Sequence, residues 1–354
     1  MVGKLVECFK HEAGRMTKTF LKSLIMRKMR RSRSSTTAGF TLLELLIVSL
    51  ISGLLISGLM YLVVELLTAD QRESSRTETQ RDMQMALDYM STELKEAVFV
   101  YSGACMAGTT ASTCNALATS LPTLFTATNT PVLAFWKQQP IPNALRLSQC
   151  RPPGTQTLGG LPVPCVAGNS YSLVVYSLST ANPTSAWKGR ARITRYALTE
   201  FNSAGTARTA GYSIVNTSAF GQWQATPPLS GITPDVLVDF VDDGVGATTV
   251  VGAANPICPN DPTTLFIDYL PSPVSAAAPT TVIPAARSFF ACVNNISENL
   301  SSDGYKDVVL FLRGSVSGRP GFQGADRAFL PSLESRVLMR GVLEREPGRA
   351  TGTL

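Results

Sequence analysis

The chain has 354 residues and a formal net charge of +6, with 31 Lys and Arg against 25 Asp and Glu. The charge is uneven: residues 1–39 hold ten Lys or Arg and two acids, and removing their +8 leaves about −2 for the rest. A mildly acidic remainder gives nucleic-acid binding no electrostatic support. The single histidine is His11, which excludes Ser-His-Asp and Cys-His catalysis and His-ligated zinc from the chain beyond residue 39.

An uncharged apolar run follows the basic segment, from Leu45 to Val64. At a rise of about 1.5 Å per residue it covers roughly 30 Å, the thickness of a hydrocarbon core. Basic residues crowd its N-terminal side, at Lys22, Arg27, Lys28, Arg30, Arg31 and Arg33. By the positive-inside rule, the N-terminus stays cytoplasmic and the chain after the span is exported. The sequence therefore predicts a single-pass membrane protein.

The junction reads Gly39-Phe40-Thr41-Leu42-Leu43-Glu44, with one carboxylate in the apolar run. An ionised carboxylate in hydrocarbon costs several kcal/mol, so we expect Glu44 to have a partner. The motif resembles the class III signal sequence of type IV pilins and type II secretion pseudopilins. This resemblance implies that a prepilin peptidase cleaves between Gly39 and Phe40, methylates the new amino terminus at Phe40, and leaves Glu44 to meet the amino terminus of a neighbouring subunit. An alternative that needs no neighbour is an interaction of Glu44 with the helix dipole.

Within this family, the size, the long polar helix segment and the loop-rich β region look like the minor pilin type called PilW and the pseudopilin called GspJ. The segment from Arg81 to Tyr101 also looks like cyanobacterial pseudopilins linked to hormogonium polysaccharide secretion. Tyr61 stands where many major pilins have a helix-kinking proline, which favours a minor pilin or pseudopilin. Residues 1–39 form a long leader for this family, and Met26 offers a second start that would leave a short basic leader.

The helix is expected to continue beyond the membrane, because Glu65 to Val98 contains neither Pro nor Gly. Three- and four-residue spacing gives it one apolar face, made by Met83, Leu87, Met90, Leu94 and Val98. We predict one helix from Thr41 to Val98. The predicted segments are a leader (1–39), a transmembrane and assembly helix (40–64), a periplasmic amphipathic continuation (65–100), a β-rich globular domain (101–343) and a tail (344–354).

Eight β-prone runs follow, separated by Pro- and Gly-rich loops. They are Val132 to Trp136, Tyr171 to Leu178, Arg192 to Leu198, Val236 to Val241, Leu265 to Leu270, Phe289 to Val293, Val308 to Leu312 and Arg336 to Val342. The alternation of apolar and polar residues along these runs is imperfect. Ile193 and Tyr196, for example, are three residues apart and would point to opposite faces of a strand. The sequence predicts an α+β pilin fold, with an antiparallel sheet packed on the C-terminal half of the long helix.

Six cysteines lie beyond the leader: Cys105, Cys114, Cys150, Cys165, Cys258 and Cys292. An even number in an oxidising compartment indicates disulfides, and six cysteines permit 15 pairings. We favour sequence neighbours, which pairs Cys105 with Cys114 and Cys150 with Cys165 and leaves Cys258 with Cys292. No C-x-x-C pair supports a metal site.

Two acidic groups raise the question of calcium, because some pseudopilins bind it. They are Asp239, Asp242 and Asp243 beside Gly244, and Asp303 with Asp307. Neither fits a known calcium loop pattern, and solvated turn residues are the preferred interpretation.

The sequence thus predicts a non-enzymatic subunit, without catalytic residues, metal or cofactor. Its expected partners are the prepilin peptidase, other pilin or pseudopilin subunits, an inner-membrane assembly platform and membrane lipid. A subunit this large fits poorly along a tightly packed shaft, so we expect it at or near the tip of a pilus or pseudopilus. The alternative is a membrane-anchored module that binds a carbohydrate or surface ligand and never polymerises. Peptidase processing distinguishes the two.

Overall fold

The computed structural model describes residues 40–108, 114–142, 156–158, 161–163, 169–202, 204–215, 220–226, 229, 232–244, 258–259, 269–273, 288–294, 307–322 and 329–339. The chain divides into two compact units, Met1–Glu65 and Leu66–Leu354. Helix α1, Leu42–Lys95, has 54 residues and contributes to both. The second unit adds antiparallel sheets, so the fold is α+β.

The described strands form three antiparallel sheets. Their bounds are β1 Ala97–Val100, β2 Asn129–Pro140, β3 Gln156–Leu158, β4 Leu161–Val163, β5 Asn169–Ser179, β6 Ala191–Thr199, β7 Asp235–Val241, β8 Tyr269–Ser272, β9 Phe289–Asn294, β10 Asp307–Arg313 and β11 Ser332–Leu338. A five-stranded sheet has the order β1-β2-β5-β6-β7, a four-stranded sheet has the order β11-β10-β9-β8, and β3 pairs with β4. Two short helices, α2 Gly103–Ala107 and α3 Leu117–Ser120, lie between β1 and β2.

The predicted α+β fold, with antiparallel strands packed on the second half of the long helix, is confirmed. The strands form two main sheets rather than one, because alternation identifies the buried face of a strand but not the strand with which it pairs. Strand β11 also begins earlier than the predicted start at Arg336, while residues 265–268 and 340–342 of two predicted strands lie outside the described residues.

Helix α1 ends at Lys95, before the predicted end at Val98, and Ala97–Val100 pairs with β2 instead. The β-branched and aromatic side chains of this run favour extended backbone. Val98 is buried in a different core from the other four members of the predicted apolar face. Those four share one core and are Met83, Leu87, Met90 and Leu94.

The main core lies between helix α1 and both main sheets. It includes Met90 and Leu94 of α1, Phe135 of β2, Phe289 of β9 and Leu310 of β10. These five side chains are all fully buried. The second part of the long helix is therefore the element on which both sheets pack.

A second core covers the opposite face of the five-stranded sheet. It is rich in aromatic rings and includes Trp136, Tyr196, Phe220 and Trp223. Ile193 belongs to the first core, so it and Tyr196 lie on opposite faces, as their spacing predicted. The five-stranded sheet is thus buried on both faces.

Two disulfides lie within the described residues. Cys105 of α2 joins Cys114, with 5.7 Å between their Cα atoms, and Cys258 joins Cys292 of β9, with 5.5 Å. Both pairings were predicted, the first as a pair of sequence neighbours and the second as the pair that remained. The pairing of Cys150 with Cys165 lies outside the described residues, as do the leader, Gly39 and the predicted tail.

Candidate functional site

The candidate site is the first part of helix α1. Every residue of this helix from Leu42 to Leu67 is exposed, although most are large and apolar. Exposed apolar surface of this extent marks contact with a membrane or another protein. By length and composition α1 could cross a membrane, and together with the two disulfides this indicates a membrane-anchored exported protein.

Thr41 caps the start of helix α1. Its carbonyl oxygen accepts from the backbone N–H groups of Glu44 and Leu45 at 3.0 and 3.2 Å, and its hydroxyl oxygen accepts from the Glu44 N–H at 3.3 Å. Thr followed by Glu three residues later is the pattern of a capping box. Glu44 therefore lies in the first helical turn, where the dipole favours a carboxylate.

The Glu44 side chain is exposed and forms no ion pair with any described residue. Phe40, which directly precedes the cap, is also exposed, by 76%. The structure therefore places Phe40, Thr41 and Glu44 together at the start of α1. No basic side chain among the described residues pairs with Glu44.

Farther along, a segment that follows β10 holds the polar part of helix α1. We call Gly314–Phe322, with the α1 residues that it contacts, the helix clamp. Arg72 Nε donates to the carbonyl oxygen of Gly321 at 3.1 Å, and the Ser75 hydroxyl donates to that of Pro320 at 2.8 Å. Gly314 lies so close that a Cβ there would be 3.0 Å from the side chains of Met83 and Thr79.

Arg319 is the central side chain of the helix clamp and is only 5% exposed. Its Nη1 lies 2.7 Å from Glu78 Oε2, its Nη2 pairs with Asp82, and its guanidinium carbon lies 4.1 Å from the centre of the Phe240 ring. Phe240 has a φ of 61°, where the pairing of β7 with β6 is irregular. This left-handed residue in β7 provides the ring that Arg319 stacks on.

Nearer the end of α1, Glu93 is surrounded by polar partners inside the domain. Arg195 Nε and Nη2 bind its two oxygens at 3.0 and 2.5 Å, Lys137 Nζ lies 2.9 Å away, and the Tyr176 hydroxyl donates to it. Burial alone would raise the pKa of Glu93, but the hydrogen bonds from Arg195, Tyr176 and Lys137 outweigh it and lower the pKa to about 2. Burial and the adjacent Glu93 raise the pKa of Tyr176.

The acidic group beside Gly244 is ion-paired. Asp239 Oδ1 lies 3.5 Å from Arg192 Nε, Asp242 Oδ2 lies 2.5 Å from Arg313 Nη2, and Asp243 Oδ2 lies 2.6 Å from Arg190 Nη2. The interpretation of these residues as solvated turn residues is therefore wrong, because β6, the residue that directly precedes it and β10 bring one arginine to each carboxylate.

Asp307 of the second acidic group accepts from Tyr269, Asn294 and Arg336, and Asp303 lies outside the described residues. The part of the chain that the structure describes contains no cluster of three or more candidate metal ligands.

The chain begins its described part with a 54-residue apolar helix, and antiparallel sheets follow and pack on the second part of that helix. This arrangement decides the architecture. It is pilin-like. No protein-family model, no curated protein and no solved structure matches the chain. The pilin-like architecture therefore rests on the helix and sheets themselves.

Proposed function

We propose that the chain is a non-enzymatic minor pilin or pseudopilin subunit. It is anchored in the bacterial inner membrane by α1, cleaved by prepilin peptidase between Gly39 and Phe40, and methylated at Phe40. It then joins the tip, or a position near the tip, of a type IV pilus or type II secretion-like pseudopilus and supports assembly, secretion or motility. One observation carries the proposal. The first part of a single helix is apolar and exposed, and the second part of the same helix packs in the core of a disulfide-bonded domain.

The position of Glu44 supports an assembly role. A carboxylate in hydrocarbon is costly unless a positive charge neutralises it. Cleavage before Phe40 would create an α-amino group at the same end of α1, so the Phe40 amine of one subunit is a suitable partner for Glu44 of the next. The helix dipole offers Glu44 partial compensation within its own chain while the subunit waits in the membrane.

The polar groups of the domain support a structural role. Glu93, Asp242 and Asp307 are each ion-paired with an arginine, and the chain beyond residue 39 contains no histidine that could act with them. These pairs join α1 to strands or one strand to another. Prepilin peptidase, other pilin or pseudopilin subunits and the inner-membrane assembly platform are the proposed partners, alongside membrane lipid.

The proposal is tested by N-terminal sequencing of the protein from cells with and without the prepilin peptidase. We expect N-methylated Phe40 in normal cells and an intact leader in cells without the enzyme. An intact leader in normal cells would overturn the proposal. A processed protein that never cross-links to another subunit would favour a membrane-anchored binding module instead.

A further inference from the structure

The charged side chains from position 78 to position 96, in helix α1 and directly after it, are of two kinds. Those of the first kind are ion-paired with other parts of the domain. They are Glu78 and Asp82 with Arg319, Glu93 with Arg195 and Lys137, and Glu96 with Lys137. Those of the second kind are Arg81, Asp88 and Lys95, which are exposed and form no ion pair with any described residue. These three charges are therefore available to a partner outside the chain.

The three unpaired charges are evenly spaced. Arg81, Asp88 and Lys95 follow one another at intervals of seven residues. Seven residues are close to two turns of an α-helix, so the three side chains lie along one side of α1, about 10 Å apart. Their signs alternate along the helix, from plus to minus to plus. We call these three residues the charge stripe.

Two exposed apolar side chains lie beside the charge stripe. Met85 is 53% exposed and Tyr89 is 46% exposed, whereas Met83, on the core side of the same helix, is 0% exposed. Met85 is four residues from Arg81 and three from Asp88, so it lies between them on the helix surface. Tyrosine, methionine and arginine are residue types in which protein interfaces are enriched. This side of α1 therefore has the composition of a contact surface.

A second copy of the charge stripe carries the charges that the first copy needs. If the second copy lies parallel and is displaced by seven residues, its Asp88 lies opposite Arg81 and its Lys95 lies opposite Asp88. If it lies antiparallel, the two copies form two Arg81–Asp88 pairs. In a parallel pair without displacement, each charge would face its like, which is unfavourable. The alternation thus selects pairings in which Arg81 of one copy meets Asp88 of the other.

We propose that the side of α1 with the charge stripe binds the same side of a second copy of this chain. Arg81 of one copy then lies opposite Asp88 of the other, with Met85 and Tyr89 between the copies. The inference rests on the proposed function, in which this chain is a subunit that contacts other subunits. One side of one helix is a small contact area, so the contact is weak when copies are dilute. A shared membrane strengthens it by raising the effective concentration of the copies.

Co-purification of two differently tagged full-length copies tests the inference. Both copies are expressed in one bacterial membrane, and the membrane vesicles are cross-linked with formaldehyde before solubilisation. One tag is then used for purification, and the amount of the other tag is measured. We expect wild-type copies to co-purify at about 50 mM salt and the yield to fall about threefold or more at about 500 mM, because salt screens exposed charges. Wild-type copies that remain separate at low salt would overturn the inference.

An exchange of charges tests the two residues themselves. Arg81→Glu in both copies places an acid opposite Asp88, and Asp88→Arg in both copies places two arginines together. Each variant should reduce co-purification about threefold or more. A mixture of the Arg81→Glu copy with the Asp88→Arg copy restores opposite charges and should recover the wild-type yield to within about twofold. A mixture that does not recover would show that the two positions do not meet.

Lys188→Glu is the matched control. It makes the same change of charge as Arg81→Glu at an exposed position outside α1, so it should leave co-purification unchanged. Equal losses for Lys188→Glu and Arg81→Glu would assign the effect to the net charge of the domain and would contradict the inference.

N-terminal sequencing of the same preparations separates the two possible failures. An uncleaved leader overturns the proposed function and this inference together. A chain that is cleaved before Phe40 but does not bind its own copy keeps the proposed function and overturns this inference alone. A cleaved chain that instead binds a different subunit, which Arg81→Glu releases, would assign the charge stripe to that subunit and also overturn the inference.

Discussion

Glu93 of helix α1 and Arg195 of β6 form a bidentate ion pair, with Nε–Oε2 and Nη2–Oε1 distances of 3.0 and 2.5 Å. Lys137 of β2 lies 2.9 Å from the same carboxylate. With the Tyr176 hydroxyl of β5, which donates to the same carboxylate, one helical side chain therefore connects to three adjacent strands of the five-stranded sheet, β2, β5 and β6. A buried carboxylate with three donors is costly to disrupt, because removing it leaves the charges that face it unpaired.

Replacing Glu93 by Gln should lower the free energy of unfolding by about 2–4 kcal/mol, because Arg195 and Lys137 lose their counter-charge. Urea unfolding of the full chain in detergent, followed by tryptophan fluorescence, measures this. Glu96→Gln is the matched control: Glu96 contacts the same Lys137 at 3.5 Å but its side chain is 61% exposed, so its loss should cost under about 0.5 kcal/mol. Equal losses for the two variants would contradict the prediction.

The same carboxylate predicts an acid-sensitive domain. The folded-state pKa of Glu93 is lowered from its ordinary value of 4.5 to about 2, so the folded state binds fewer protons than the unfolded state. This contribution to stability is fully present above pH 4.5 and is lost as pH falls towards about 2. Unfolding free energy measured across this range should fall less steeply for Glu93→Gln than for the wild type. Parallel curves would show that Glu93 is not responsible.

Replacing Arg319 by Met should loosen the helix clamp, because Glu78 and Asp82 lose their shared cation and Phe240 loses the stacked guanidinium. We expect backbone amides of residues 75–82 to exchange hydrogen at least about tenfold faster, while those of β2 and β5 change little. Hydrogen exchange read by mass spectrometry measures both. The control is Glu73→Gln, which removes an exposed pair with Arg76 at 3.7 Å and should leave exchange unchanged.

The two disulfides should differ in their effect on stability. Cys258–Cys292 closes a sequence separation of 34 and Cys105–Cys114 one of 9. Chain entropy predicts losses of about 3.5–4 and about 2.5–3 kcal/mol when each pair is replaced by alanines. Unfolding the two double variants in urea tests the order. A larger loss for Cys105→Ala/Cys114→Ala would show that native-state packing, rather than loop closure, decides it.

Replacing Glu44 by Gln should leave membrane insertion and processing intact but reduce recovery in filaments at least about tenfold, because the charge that meets the neighbouring amine is removed. Fractionation of sheared filaments, with mass spectrometry of Phe40, measures incorporation and processing together. Glu65→Gln, at the end of the apolar span, is the control and should assemble normally. Normal assembly of the Glu44 variant would remove its proposed role.

The elements that sequence reasoning placed well are those whose pattern is local. The long helix, the runs at β2, β5, β6, β7, β9 and β10, and the pairing of Cys105 with Cys114 all follow from spacing within short segments. The end of α1 was placed too late, because Val98 continues the helical spacing although its run pairs as a strand with β2. The spacing of residues within one segment does not show which strand farther along the chain that segment pairs with.

The spacing of residues within short segments could not predict the helix clamp or the contacts of Glu93 with Arg195, Lys137 and Tyr176. Arg319 and Asp82 are 237 residues apart, and Arg195 and Glu93 are 102 apart. The sequence offered one usable signal, an acid at position 93 directly beside Leu94 in the buried face of α1. That signal marks a carboxylate needing a partner without identifying the partner.

By itself, the sequence determined the apolar helix, its basic flank, the acid at Glu44 and the β-rich remainder, because membrane length, charge bias and residue alternation are written in consecutive residues. Only the tertiary structure decided that two sheets share one helix, that each aspartate beside Gly244 has its own arginine, and that Arg319 pairs with Glu78 and Asp82 of α1. Those relationships depend on which distant segments pack together, and packing is decided by the shape and charge of whole surfaces rather than by neighbours along the chain.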